Sequence, residues 1–175
     1  MRNLLFKGYN EKHNIDFTVH SCNKYLLHEI ISVFKNSFKK VYLKEKDYLL
    51  NNLKIVCTWQ RSDIPINFVS KKVTKEMDKL YENFIKFIKK IKQIVEKKNL
   101  WIDVSDPHTG NCLFGEKTNC IYNEINGLKY LLKYDNEKLG CCGMVLHPEY
   151  GYHGYPITFF TNLNLSDLKN LLIIA

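Results

Sequence analysis

Two adjacent cysteines, Cys141 and Cys142, stand behind Leu139-Gly140 and lead into the β-prone run Gly143-Met144-Val145-Leu146-His147. On a strand neighbouring side chains point to opposite faces, so one sulfur packs inward while the other stands at the surface, available as a thiolate. A thiolate is a soft donor, and a single metal contact is the chemistry it suits. A closed zinc cage takes about four ligands at spacings such as C-x2-C or H-x3-H, and the nearby His147 and His153 complete no such pattern. On these residues alone burial is the better reading, because a free cysteine behaves as a small apolar side chain.

The histidines carry two readings each. His147 and His153 are favoured as structural groups, each a neutral imidazole that donates to one backbone group and accepts from another; the alternative is to lower a thiol pKa or meet a partner. His108 lies in Asp106-Pro107-His108-Thr109-Gly110, a tight turn in which proline fixes φ and glycine supplies positive φ, and is read as a surface turn residue. Asp103 and Asp106 do not make an acid and base pair, since one falls in a strand and the other opens that turn. No G-x-S-x-G, Walker loop, H-E-x-x-H or kinase signature occurs, and the chain is expected not to be an enzyme.

The elements that must hold these residues follow from hydrophobic period and breakers. Strands are expected over 15–21, 53–60, 100–104, 141–147 and 157–161. Helices are expected over 23–38, 74–98 and 123–132, with a last one from Ser166. In the long helix Met77, Leu80, Tyr81, Phe84, Phe87, Ile88, Ile91 and Val95 recur at three and four residues, leaving a lysine-rich solvated face. Thr74 is its expected N-cap and Asn99 its stop. A proline cannot donate to a sheet ladder, so Gly154-Tyr155-Pro156 is expected to interrupt or delay the last strand. Trp59, Trp101, Phe114, Phe159 and Phe160 read as core. The pattern implies an α+β fold, a mixed sheet with flanking helices, with residues 1–12 an N-terminal tail and 13–175 a single domain.

The 175 residues with 45% hydrophobic content suit one core. A net charge of +8 raises nucleic-acid binding, but the charge is mostly lysine on one helix face, and arginine, whose fork serves phosphate and base recognition, is scarce. That reading is set aside, as is a membrane span, since no apolar run nears the roughly 20 residues required. The six cysteines are irregularly spaced in a chain large enough for its own core, and reduced thiols in a cytoplasmic protein are expected.

A longer constellation carries a resemblance. Trp101-Ile102-Asp103-Val104-Ser105-Asp106-Pro107-His108-Thr109-Gly110 runs into Phe114-Gly115 and Thr118-Asn119; then come Leu139-Gly140-Cys141-Cys142, His147, Gly151 and His153, and Phe160-Thr161-Asn162. In order and spacing these resemble the CblD family of cobalamin trafficking proteins. The resemblance implies a nitroreductase or flavin-reductase-like fold that has lost the flavin and cobalamin pocket, so no flavin is expected. It implies an adapter that docks on a CblC-like cobalamin-processing protein and shares its cobalamin, with Cys141 as the cofactor-binding and metal-binding residue. The cargo would pass toward methionine synthase or methylmalonyl-CoA mutase. It also leaves a mitochondrial location as the alternative to a cytoplasmic one, although the domain begins too near the start of the chain to leave room for a leader. A flavin-dependent reductase on the same fold is the alternative function.

Overall fold

The computed structural model describes residues 1–40, 46–139 and 142–175, with the backbone alone at 39, 40, 139 and 142. Its elements are β1 (Leu4–Asn10), β2 (Ile15–Ser21), α1 (Lys24–Lys40), α2 (Lys46–Asn52), β3 (Lys54–Arg61), α3 (Lys71–Lys97), β4 (Ile102–Val104), α4 (Glu124–Leu132), β5 (Asn136–Leu139), β6 (Cys142–Val145), β7 (Gly154–Thr161) and α5 (Leu165–Ile174). Five strands form one sheet in the order β1-β2-β3-β7-β4, and β5 with β6 forms a separate two-stranded ribbon.

The α+β class holds, but the sheet, expected to be mixed, is antiparallel at every pairing described. The connections explain this. A helix between β3 and β4 makes those strands run the same way, and β7 then inserts between them in the opposite direction. Alternation divides the core in two. Val19, Val56 and Phe159 face α3 and α5, where Phe84, Phe87, Ile88, Leu168 and Leu172 cover them. Ile55, Cys57, Trp59 and Phe160 face α1, α2 and α4, against Leu26, Phe34, Leu49 and Leu131. Trp101 is core as expected, its ring 4.5 Å from Phe38 and 5.5 Å from Phe34.

Four expectations are corrected. Ser70, not Thr74, caps α3, its Oγ accepting from Val73 N at 3.2 Å; burial of Val73 draws the extra turn into the helix. Asn99 does stop it, in the left-handed region with φ of 55°. The stretch read as a tail contains β1, which pairs with β2 from Leu4 to Asn10. Gly154-Tyr155-Pro156 belongs to β7, with Pro156 opposite Trp59. The proline is tolerated because β4 reaches only residues 159–161, leaving a flank on which the missing N–H breaks no ladder bond. The strand expected over 141–147 is described from Cys142 to Val145.

Candidate functional site

The ribbon that carries the cysteine pair is held from below. β5 and β6 pair with Leu139 opposite Cys142, and the sequence leaves Gly140 and Cys141 between them. Cys141, the sequence-predicted ligand, lies outside the described residues together with Gly140. Gly143 sits over the first turn of α4, where an added Cβ would lie 3.5 Å from Ile125. Val145 is buried in the core, and Leu146 N donates to Asp135 O at 2.8 Å, fastening the ribbon's base.

His147 follows that base and is packed by rings: Tyr150 stacks at 4.2 Å, Trp59 lies at 5.3 Å and Tyr134 meets it edge-on at 5.6 Å. Its Nδ1 accepts the Glu149 N–H at 3.3 Å, and burial lowers its pKa, so the neutral imidazole is the resting form. Gly154 allows this approach, since a Cβ there would lie 3.0 Å from the His147 Cβ and 3.1 Å from the Trp59 ring. His153 Nδ1 bonds Ser62 O at 2.9 Å while Ser62 N donates to His153 O at 2.7 Å, joining its loop to the end of β3. Both histidines therefore have structural partners. His108 stays in an exposed turn, its backbone N donating to Asp106 Oδ1 at 3.2 Å and its ring edge-on to Tyr81.

Much of the motif constellation builds the fold. Asp103 Oδ1 accepts N–H bonds from Val104 (2.8 Å), Leu113 (3.1 Å) and Phe114 (2.9 Å), and Ser37 donates to Oδ2 at 3.3 Å. Desolvation raises its pKa, and these donors partly offset that. The glycine of Phe114-Gly115 is required by the closeness of this knot: a Cβ there would fall 1.8 Å from Ser37 Oγ and 2.7 Å from Asp103 Oδ2. Thr161 Oγ1 donates to Trp101 O at 2.7 Å and Asn162 Oδ1 accepts from Trp101 N at 2.7 Å, so Phe160-Thr161-Asn162 clamps the end of β7 to the start of β4.

The thiols divide by environment. Cys57 is fully buried and Cys22 nearly so; burial raises both, Cys22 to about 12. Cys112 is buried with its pKa raised, and Cys120 is exposed. Among the described residues no group of three or more His, Cys, Asp or Glu side chains could hold a metal ion. No helix among them is long and apolar enough to cross a membrane.

Sequence reasoning missed Glu124. It opens α4 behind the Asn123 cap, where an acid ordinarily faces water and complements the helix dipole. Here the residue is partly exposed, yet its carboxyl turns in, accepting from Thr158 Oγ1 at 2.5 Å; Oε2 is buried with no partner among the described residues. Desolvation raises its pKa to about 7.

An antiparallel sheet layered by helices, with a side ribbon seated on α4 and a vicinal cysteine pair in that ribbon's sequence, defines the domain as α+β. The chain belongs to the family of the methylmalonic aciduria and homocystinuria type D protein, whose model matches residues 4–171. Among curated relatives, the cobalamin trafficking protein CblD of Gallus gallus is 26% identical over 154 residues, 88% of this chain and 48% of the relative. The CblD proteins of Mus musculus and Homo sapiens are each 25% identical over the same share of both chains, 88% and 48%. The chain thus spans about half the length of the curated relatives it matches.

Proposed function

We propose that this protein takes part in cobalamin trafficking as an adapter without catalytic activity of its own, built on a nitroreductase-like fold. It docks on a CblC-like cobalamin-processing protein in the cytoplasm, or in the mitochondrion, and offers the Cys141 thiolate to the cobalt of the shared cargo. The observation that carries the reading is membership of the type D family over residues 4–171, together with the Leu139-Gly140-Cys141-Cys142 run. A soft sulfur donor suits a polarisable metal centre with an exchangeable axial position. Such a bond would hold the cargo during passage to methionine synthase or methylmalonyl-CoA mutase.

The test mixes the protein, a CblC-like partner and cobalamin and reads the corrin absorption spectrum. Cys141→Ser is nearly isosteric and should abolish the cobalt and sulfur signature while leaving complex formation by gel filtration intact. Cys142→Ser should keep the signature, because neighbours on a strand face oppositely. Loss with Cys142→Ser and retention with Cys141→Ser would exchange their roles; a signature unchanged in both would end the thiolate mechanism. A yellow purified protein would instead support the reductase alternative.

A further inference from the structure

A cleft of about 460 Å³ opens where the β1–β2 hairpin meets the loop after β6, a volume within the range of small-molecule sites. Its floor is set by strand register. Lys7 pairs with Thr18 and Tyr9 with Asp16, and Asp16 in turn pairs with Trp59, so these side chains share one sheet face. Trp59, Tyr134 and His147 wall the cleft as a packed aromatic group, with ring separations of 5.3–6.1 Å.

His147 supplies the directional group. Because Nδ1 accepts the Glu149 N–H, the neutral ring carries its proton on Nε2. That Nε2–H has no acceptor among the described residues, although the ring lines the cleft. Charges in the lining oppose one another: Lys7 stands against Asp16 and Glu149, and the Asp16 carboxylate is already engaged by the Tyr150 hydroxyl. A mixed lining of this kind disfavours a strongly charged ligand and leaves the His147 Nε2–H as a donor beside aromatic walls, the Trp59 Nε1–H, unpartnered among the described residues, being buried.

We propose that this cleft is a binding site for a small, flat, uncharged aromatic molecule bearing a hydrogen-bond acceptor, a carbonyl oxygen or a ring nitrogen. The acceptor takes the His147 Nε2–H, and the ring lies against Tyr134, which itself packs on the buried Trp59. The site is independent of the cysteine ribbon's role toward cobalt, and its test needs neither cobalamin nor a partner.

Benzamide serves as the probe and toluene, which has the ring and no acceptor, as the control. The chain has two tryptophans, so its amide spectrum contains two indole N–H signals, and Trp101, packed on Phe34 and Phe38, is an internal reference. Benzamide titrated into the ¹⁵N-labelled protein should move the Trp59 signal saturably and leave Trp101 in place. Toluene should bind roughly tenfold more weakly, the value of one hydrogen bond. His147→Phe keeps a ring in the wall and removes the donor, so benzamide affinity by calorimetry should fall about tenfold to the toluene level. A stationary Trp59 signal up to the solubility limit of benzamide overturns the site. Toluene matching benzamide on the wild-type protein overturns the acceptor, even if the variant fails to fold.

Discussion

Replacing Glu124 by glutamine tests whether a buried carboxyl near the ribbon's seat limits stability at neutral pH. Burial raises its pKa from the ordinary 4.5 to about 7, and Thr158 donates to the carboxyl through Oγ1. Between those two values the folded chain holds a proton that the unfolded chain has lost, so the wild-type contribution is fully present below 4.5 and lost as pH rises through about 7. At about 1.4 kcal/mol per pH unit, ionising the folded carboxyl costs about 3 kcal/mol more than ionising it in water. Relaxation around the carboxyl should reduce what is observed to about 1–3 kcal/mol. Glutamine keeps an acceptor for Thr158 and carries no charge. Urea unfolding of both proteins from pH 4 to pH 8.5 should show the stability of Glu124→Gln, taken relative to wild type, rising by that amount between about 4.5 and about 7 and staying level above that. Taking the difference removes the histidines His20 and His147, whose lowered pKa values act with the opposite sign, their cost appearing as pH falls. A difference that stays flat across the range would refute the buried-charge reasoning.

Two further outcomes are expected. At pH 7.5 iodoacetamide should label exposed Cys120 at least about tenfold faster than buried Cys22 and Cys57, and Cys141 faster than those two if it is the ligand; mass spectrometry of the labelled peptides reads the order, and Cys57 matching Cys120 would contradict its burial. Gly115→Ala should cost about 1–3 kcal/mol by overpacking the Asp103 and Ser37 contact. Ser37→Ala should recover part of that loss in a double-mutant cycle by urea unfolding, and strictly additive losses would show that the clash lies elsewhere.

The long helix was legible because its apolar stripe, from Leu80 to Val95, repeats over several turns. Its first turn was not, since Ser70 and Thr74 are both good caps and only the burial of Val73 chooses between them. β1 has no clean alternation; Leu4, Leu5 and Tyr9 stay exposed, and its strand form comes from pairing with β2. The rule against proline in a strand was applied to Pro156 without the information that decides it, which is how far β4 extends. Of the two backbone bonds expected of each ring, His147 shows one, accepted from Glu149 N, and His153 one, to Ser62 O. Glu124 was invisible because its local pattern, an acid behind an asparagine cap, is that of a solvated helix start. Its burial depends on Thr158, 34 residues away. Cys141 itself rests on the motif and its family.

The insertion of β7 between β3 and β4 has a consequence for synthesis. Thr58 and the backbone of Ile157, which meet across that pairing, are 99 residues apart. A ribosome adding about 5–20 residues per second completes β3 roughly 5–20 s before it completes β7. Through that interval the nascent chain has β1, β2 and β3 available to pair, while the outer edge of Ile55-Val56-Cys57-Thr58-Trp59 lacks its native neighbour. An apolar strand with an open edge invites pairing with other chains. Expression at reduced temperature, or with a chaperone that shelters extended segments, should therefore raise the soluble yield more than changes to the exposed lysine face of α3.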